Sequence, residues 1–296
     1  MHKRLDRSEI GFKIVSYFLL TIFAVACLYP FIYAISCSIS GKAAIEAGKV
    51  VLWPVSVQFD AFKDIFQRTS FWLCYANTLF LTFFGTLFSI LVSIIGAYAL
   101  SKERLPFGRA LNFLLVFTMW FSAGLFATKF FYDLTNNAFK SIGIIDEKWM
   151  VVIAMGLNAY NVVLLRNGFR GVPKEIEEAA LVDGANEFQI ASKVYTPISK
   201  ATIATVALFY GISRWNGYFW VAQTITAEEQ IPLQVYIRNF LDTYVKGTDT
   251  TFNLEVFSVQ SLFYCMIVAS VIPIIIIYPF IQKYFAAGVN LGGVKE

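Results

Sequence analysis

The sequence has few charged residues for its length. Asp, Glu, Lys and Arg make up 15% of its 296 residues, whereas 57% of the residues are hydrophobic and the mean hydropathy is +0.62. A soluble domain usually has about a quarter of its residues charged. The composition therefore excludes an ordinary soluble domain and indicates an integral membrane protein. The net charge is only +4, so the sequence predicts no nucleic-acid partner.

The residue types on which most enzymes depend are also scarce. The single histidine, His2, lies next to the N-terminus, and no paired carboxylates or metal-ligand spacings accompany it. The cysteines lie in or beside apolar segments without C-x-x-C spacing, at Cys27, Cys37, Cys74 and Cys265. This arrangement is typical of packing thiols and gives no support to a metal site or a disulfide framework. We therefore expect no catalytic site and no metal site in this chain.

Motifs that couple transport to an energy source are missing as well. The sequence contains no G-x-x-x-x-G-K-[ST] loop, so we expect no ATP hydrolysis by this chain itself. The long apolar segments contain no Asp or Glu at mid-membrane depth, whereas an ion-coupled secondary transporter normally needs an acidic relay there. An ion-coupled secondary transporter is the alternative function from a different class, and this absence argues against it.

The sequence does contain a series of apolar segments long enough to cross the roughly 30 Å hydrocarbon core of a bilayer. The predicted order is a cytoplasmic tail (1–13), a first span (14–39), an external loop (40–70), a core domain (71–284) and a cytoplasmic tail (285–296). Within the core domain, spans are predicted at about 71–100, 109–131, 148–165, 201–221 and 262–284. The predicted fold class is an all-α integral membrane protein with about six transmembrane helices.

The first apolar segment has a second interpretation. A basic start followed by Ala24-Val25-Ala26-Cys27 is similar to a lipoprotein signal with a weak cleavage box. The apolar run continues past Cys27 as far as Ile39, which favours a retained span. Lys and Arg are denser in the segments predicted to lie inside, including 101–108 and 166–200. The positive-inside rule therefore places those segments and both termini in the cytoplasm.

The polar stretch 166–200 predicts a pair of short helices between two spans. Pro173 suits a first helical position, and glutamates follow in the first turns, where carboxylates complement the helix dipole. Gly184 predicts a left-handed end for the first helix, and Asn186 with Gln189 predicts a capping box for the second. Pro197 predicts the end of that second helix. A DNA-binding helix-turn-helix is disfavoured because the second helix has no basic face.

The same stretch carries a family resemblance. Glu178-Ala179-Ala180 is followed after three residues by Gly184 and after nine more by Val194-Tyr195-Thr196-Pro197. This spacing resembles the EAA loop of ABC importer membrane subunits, EAA-x3-G-x9-I-x-L-P, with Val for Ile and Thr for Leu. Pro173–Ala180 and Arg214-Trp215-Asn216-Gly217-Tyr218 resemble the carbohydrate-uptake (MalG-like) branch of these permeases. Ile231-Pro232-Leu233-Gln234 and the tail segment Tyr278–Phe285 are similar to the LplC-like polysaccharide and aldouronate permeases within that branch. The resemblance covers most of the chain from about Asn77 onward.

The resemblance implies a fold and a function. The fold is that of MetI-like permeases, and the function is that of a transmembrane subunit of an ATP-driven oligosaccharide importer in a bacterial cell membrane. An importer of another solute is the alternative. The implied partners are membrane lipid, a second permease subunit, two ATPase subunits that bind ATP and Mg, and an extracellular solute-binding protein. This chain would then hold no cofactor of its own. The residues that would dock the ATPases are Pro173, Glu177, Glu178, Ala179, Ala180, Asp183, Gly184, Ala185 and Pro197.

Polar residues within or beside the predicted spans are candidates for a substrate path. They are Asn77, Asn158, Asn161, Arg214, Trp215 and Asn216. Asparagine and arginine can bind sugar hydroxyls, but the same side chains also form hydrogen bonds between helices. Neighbouring aromatic residues, such as Tyr210 and Trp220, are more typical of an interfacial belt than of a stacking surface. An arginine at membrane depth is costly unless it is paired or hydrated, so both interpretations of Arg214 stay open.

Overall fold

The computed structural model describes residues 7–121, 124–143, 147–245 and 258–293. Within these ranges the regular structure is helical, and no strand occurs. In chain order, the α-helices are α1 (Arg7–Ser38), α2 (Lys42–Glu46), α3 (Asp60–Gln67), α4 (Thr69–Ser101), α5 (Gly108–Trp120), α6 (Gly124–Ser141), α7 (Glu147–Ala154), α8 (Ala159–Arg170), α9 (Lys174–Val182), α10 (Glu187–Ile190), α11 (Thr196–Ile198), α12 (Lys200–Trp215), α13 (Phe219–Thr224), α14 (Leu233–Val245) and α15 (Val259–Gly293). A π-helical turn (Ala191–Tyr195) precedes α11, and a 3-10 turn (Glu228–Gln230) precedes α14. The all-α class predicted from the sequence is confirmed.

Three helices are individually long and apolar enough to cross a membrane. The qualifying segments are Glu9–Ser38 of α1, Thr69–Ser101 of α4 and Val259–Pro279 of α15. The pairs α5 with α6 and α7 with α8 qualify when each pair is counted as one interrupted span. The axes of α7 and α8 differ by 52°. The described part of the chain thus supplies between three and five candidate spans.

Two predicted spans have different boundaries in the structure. The segment expected at 109–131 is split, because α5 ends at Trp120 and α6 runs on to Ser141, beyond the predicted end of the span at 131. The segment expected at 201–221 is interrupted: α12 ends at Trp215 with Asn216 as its C-cap, and helical backbone resumes at Phe219 in α13. At 16 residues, α12 is about 24 Å long, which is shorter than the hydrocarbon core.

The chain forms two compact units, each with its own buried residues. One unit comprises residues 1–69 and 237–273. In it, Cys37, Ile45 and Val50 form a small buried cluster. The large apolar side chains along α1 are mostly exposed, for example Phe12 at 74% and Phe23 at 72%. An apolar helix with exposed side chains of this kind suits contact with lipid tails.

The second unit comprises residues 70–236 and 274–296 and contains both candidate sites. Leu165 of α8, Ile190 of α10 and Val206 of α12 are completely buried and belong to one apolar cluster. A second apolar cluster contains Leu81 of α4 and Met150 of α7, together with residues of α13 and α14. The first cluster packs the short polar helices against the long ones and so fixes their positions.

Candidate docking loop and membrane cavity

The docking loop, defined here as α9 through α11, begins with a helix that glycine closes. Gly184 has φ +80°, the left-handed conformation predicted from the sequence, which glycine adopts without the steric cost of a β-carbon. The N–H of Gly184 donates to the carbonyl of Leu181 at 3.0 Å, and the N–H of Ala185 donates to the carbonyl of Ala180 at 3.0 Å. These two bonds form a Schellman motif, so α9 ends at a defined residue and the chain turns towards α10.

The second part of the docking loop begins with a capping box. The side chain of Asn186 accepts from the N–H of Gln189, and the side chain of Gln189 accepts from the N–H of Asn186, both at 2.9 Å. This prediction is confirmed. The prediction that Pro197 ends the helix is wrong, because helical backbone continues through the π turn Ala191–Tyr195 into α11. A π turn displaces the carbonyl that the proline ring would otherwise meet, and the missing N–H is tolerated there.

The inner side of the docking loop is attached to Lys102, the residue that follows α4. The Lys102 ammonium lies 2.6 Å from Oε1 of Glu177 and donates to the Tyr195 hydroxyl at 3.0 Å. It also lies 4.1 Å from the ring centroid of Tyr195 and 4.4 Å from that of Tyr98. The side chains of Lys102 and Glu177 are only 10% and 14% exposed. A largely buried charge pair between two aromatic rings therefore holds α9 against the end of α4.

A second acidic residue extends these contacts to α10. Arg104 forms an ion pair with Glu187, and its Nη2 lies 3.5 Å from Oε1 of Glu177. The Tyr98 hydroxyl donates to Oε2 of Glu187. We call the set the Lys102 cluster; its members are Tyr98, Lys102, Arg104, Glu177, Glu187 and Tyr195. Contacts from one basic turn thus hold both short helices beside the end of α4.

The charges in this cluster shift the pKa of its acidic member. Burial raises the pKa of Glu177, but hydrogen bonds from Lys102 and Tyr195 and the charges of Lys102 and Arg104 outweigh it, and the net pKa lies below its usual value. The pKa of Tyr195 is raised, first by burial and then by its hydrogen bond to the carboxylate of Glu177. At neutral pH, Glu177 is therefore ionised and Tyr195 keeps the proton that it donates.

The outer side of the docking loop has a different character, because its side chains point away from the rest of the chain. Glu178 is exposed, although it directly follows the buried Glu177. Val182 is 88% exposed and Phe188 is 78% exposed, and Ile176 is exposed as well. Large exposed apolar side chains beside a charged residue are typical of a surface that another protein covers.

The structure places the remaining predicted docking residues on both sides of the loop. Pro173 was predicted to be the first helical residue, and in the structure it is the N-cap of α9, one position earlier. The side chains of Ala180 and Ala185 are half-buried and pack on the apolar cluster around Ile190. The exposed members are Glu178, Ala179, Asp183, Gly184 and Pro197. Glu177, another predicted docking residue, is half-buried and contacts Lys102 and Tyr195.

A cavity of about 470 Å³ opens in the same unit, at the break between α7 and α8. Asn158 caps α8 by accepting from the N–H of Asn161 at 3.2 Å, and its own N–H donates to the hydroxyl of Tyr210 at 3.1 Å. Tyr132 and Trp220 form an edge-to-face pair with centroids 5.4 Å apart. The polar and aromatic side chains that line the cavity include Tyr132, Asn158, Tyr160, Asn161, Tyr210, Ser213, Arg214 and Trp220.

Arg214 lies in the wall of this cavity and is only 8% exposed. Its guanidinium donates to the carbonyl of Val151 at 3.3 Å, to the hydroxyl of Ser89 at 3.2 Å and to the carbonyl of Met155. A β-carbon at Gly85 would lie 3.0 Å from Nε of Arg214, so glycine leaves the space in which the arginine side chain runs. The arginine therefore closes the C-terminal end of α7 and at the same time faces the cavity.

Three of the predicted substrate-path residues do not line this cavity. Asn77 donates to the carbonyls of Glu229 at 2.8 Å and Ile231 at 3.1 Å, so it anchors the segment before α14. Trp215 is buried and packs edge-to-face on Tyr75 at 6.0 Å. Asn216 is exposed at the end of α12. The cavity thus brings together Asn158, Asn161 and Arg214.

Sequence reasoning missed residues at both sites. Lys102 and Arg104 were read only as the basic turn between two spans, and Tyr98 and Glu187 were not predicted at all. Lys102 and Arg104 could have been identified, because their basic turn was predicted to lie on the same side of the membrane as the acidic loop. Tyr132 was missed because it lies just past the predicted end of the span at 131.

Comparisons with known proteins agree with this geometry. Residues 80–291 match the family described as binding-protein-dependent transport system inner membrane component. The chain is 33% identical over 287 residues to the polygalacturonan/rhamnogalacturonan transport system permease protein YtcP of Bacillus subtilis, covering 96% of this chain and 98% of that protein. It is 31% identical over 270 residues to protein LplC of Bacillus subtilis, covering 90% and 89% of the two chains.

A solved structure is similar over nearly the whole chain. It is a crystal structure of a bacterial ABC transporter involved in the import of the acidic polysaccharide alginate, with 41% identity and a TM-score of 0.83. The alignment covers 96% of this chain and 99% of that chain. The fold, the EAA spacing and the sequence matches agree, and they confirm the resemblance to carbohydrate-uptake permeases. The chain therefore belongs to the family of binding-protein-dependent transport system inner membrane components, as a multi-pass permease subunit of a bacterial ABC importer and not an enzyme.

Proposed function

We propose that the chain forms half of the translocation path of an oligosaccharide importer and transmits the movements of two ATPase subunits to that path through its docking loop. The observation that carries this proposal is the division of the docking loop into two sides. One side is bound to α4 through the Lys102 cluster, and the other exposes apolar and acidic side chains. A segment built in this way can be held by a partner and still remain attached to the membrane helices.

The outer side suits a protein groove. Phe188 and Val182 would lose most of their exposed surface in a partner, and burial of each apolar side chain contributes about 1.5–3 kcal/mol. Glu178 would supply a charge contact beside them, for which a basic residue of the ATPase is the complementary group. We place the docking loop in the cytoplasm, and we propose that the ATPase subunits, and not this chain, bind ATP and Mg.

The cavity suits a sugar. Asn158, Asn161 and Tyr160 offer hydrogen-bonding groups, and the ring of Trp220 offers an apolar face to a sugar ring. A cavity of about 470 Å³ is within the usual range for a small-molecule site. The similarity to a polygalacturonan/rhamnogalacturonan permease and to an alginate importer supports a saccharide over another solute. The partners proposed are a second permease subunit, two ATPase subunits and an extracellular solute-binding protein.

The proposal is tested by Phe188→Asp in cells that contain the whole importer. We expect a loss of at least tenfold in oligosaccharide uptake and poor co-purification of the ATPase subunits, because a charge would replace an exposed apolar anchor. Val57→Asp is the matched control, since Val57 is also exposed, at 57%, but lies outside the docking loop. Normal uptake and co-purification with Phe188→Asp, or an equal loss with the control, would contradict the proposed docking surface.

A further inference from the structure

The charge of Arg214 is buried, and within the described ranges its hydrogen bonds go to neutral oxygens only. Arg214 is only 8% exposed, and each of its described hydrogen-bond acceptors is a neutral oxygen, on Val151, Met155 and Ser89. Among the residues that the structure describes, no carboxylate pairs with it. A buried charge costs several kcal/mol unless a partner or water compensates it. The wall of the cavity is the place where such a partner can reach the guanidinium.

A purely structural role accounts for only part of this arrangement. The carbonyl of Met155 lies at the end of α7, and a cation there complements the negative end of the helix dipole. That dipole is equivalent to roughly half an elementary charge, and a neutral amide could donate to the same carbonyls. The structure therefore leaves part of the positive charge of Arg214 without compensation.

The other groups in the cavity indicate what the missing partner is. Asn158, Asn161 and the hydroxyl of Tyr160 line the same space, and they suit a ligand with many hydroxyl groups. Gly85 permits the arginine to lie in the wall, because a β-carbon there would meet both Nε and Cδ of Arg214. A guanidinium matches the planar geometry of a carboxylate better than any other side chain does.

We propose that Arg214 is a specificity-determining residue that binds the carboxylate of an anionic sugar unit, a uronate, as the oligosaccharide passes through the cavity. This inference rests on the proposed function and narrows its substrate class to acidic oligosaccharides. The carboxylate supplies the counter-ion that the described part of the chain does not provide, and Asn158, Asn161 and Tyr160 bind the ring hydroxyls. A neutral oligosaccharide of the same size gains the hydroxyl contacts but not the charge contact.

The test uses the complete importer reconstituted in proteoliposomes with its ATPases and its solute-binding protein. The probes are galacturonate and mannuronate oligosaccharides, together with the carboxyl-reduced, neutral form of each. ATP-driven uptake of each acidic sugar is divided by that of its neutral form, and this ratio is compared between variants. Any selectivity of the solute-binding protein is the same for all variants and cancels in that comparison.

We expect Arg214→Gln to lower the ratio about tenfold, because a neutral amide keeps hydrogen-bonding capacity but removes the charge. Arg214→Lys keeps the charge and should keep a ratio above one, even if total uptake falls with the lost contacts to α7. Ser213→Asp is a second variant, at an exposed position in the cavity wall, and leaves the arginine in place. Its carboxylate would compete for the guanidinium and should lower the ratio as well.

The outcomes separate the two proposals. A ratio that neither Arg214→Gln nor Ser213→Asp changes overturns the role of Arg214, as does an equal uptake of acidic and neutral sugars by the unaltered importer. Both of these results leave an oligosaccharide importer intact. Failure to transport any saccharide, with transport of another solute, overturns the proposed function itself. If Arg214→Gln prevents assembly, Ser213→Asp decides the question.

Discussion

Lys102 and Glu177 are separated by 75 positions in the sequence, yet their charged atoms lie 2.6 Å apart and are largely shielded from water. The pair joins the end of α4 to the first helix of the docking loop. Tyr195, from the following π turn, bonds to both residues and closes the contact. A force applied to the docking loop is therefore transmitted to α4 through side-chain contacts as well as through the backbone.

Removal of one member of this pair should loosen α9. In Lys102→Met, the carboxylate of Glu177 stays largely buried and loses its nearest cation, which should lower the free energy of local opening of α9 by about 2 kcal/mol. Hydrogen exchange of the α9 amides measures that free energy. Lys174→Met is the matched control, because its ion pair with Glu103 is exposed and should contribute nothing measurable. Equal exchange in the two variants would contradict the prediction.

The same contact predicts a pH dependence. The pKa of Glu177 in the folded chain lies below the usual 4.5, so the fold favours the ionised form. The stabilisation is complete above the unfolded value and is lost as the pH falls through the lower folded value. Hydrogen exchange of α9 should therefore accelerate as the pH is taken from 5 down to about 3, after correction for intrinsic exchange. Glu177→Gln should remove this pH dependence. If the exchange rate of α9 still rises at low pH in the variant, another titrating group is responsible.

A β-carbon at Gly184 should be unfavourable because of the left-handed backbone conformation at this position. Its φ of +80° costs a residue with a side chain about 1–2 kcal/mol, although the space around it is open. Gly184→Ala should therefore weaken docking of the ATPase and reduce uptake roughly five- to thirty-fold, with unchanged abundance in the membrane. Gly96→Ala is the control, because Gly96 is helical and also has open space around it. Full uptake in Gly184→Ala would show that the turn is not needed.

Charge reversal should have different effects on uptake at the two exposed glutamates of α9, Glu175 and Glu178. Glu178→Lys places a cation where we propose a basic partner, and uptake and ATPase co-purification should fall at least tenfold. Glu175→Lys is equally exposed and lies in the first turn of the same helix, outside the proposed docking residues, and should cost less than threefold. The prediction fails if the two variants behave alike.

The proposed topology has a direct test. In a chain without native cysteines, a single cysteine at Ser192 should be protected in intact cells from an impermeant thiol reagent. A single cysteine at Lys49 should be labelled. Both positions are exposed, and Lys49 is preferable to the neighbouring Gly48, whose φ is +66°. The reverse labelling pattern would place the docking loop outside the cell.

Local chemistry was predictable from the sequence, and distant contacts were not. The capping box of Asn186 and Gln189 and the left-handed Gly184 depend on neighbours within four positions, so residue types alone identify them. Glu177 faces inward and Glu178 faces outward because Glu177 contacts Lys102, which follows α4. No rule of sequence spacing connects Lys102 with either glutamate. Hydropathy likewise cannot detect that a span is interrupted, because both halves of a broken helix remain apolar.

The π turn at Ala191–Tyr195 contains one more residue than an α-helical segment that rises by the same distance. Deletion of Ser192 would convert this turn to an α turn and leave the helices on either side in the same rotational phase. Deletion of a residue within α12, such as Ala207, would instead rotate Arg214 by about 100° and carry it out of the cavity wall. The connection between the docking loop and α12 can therefore change in length without a change in the direction in which Arg214 points.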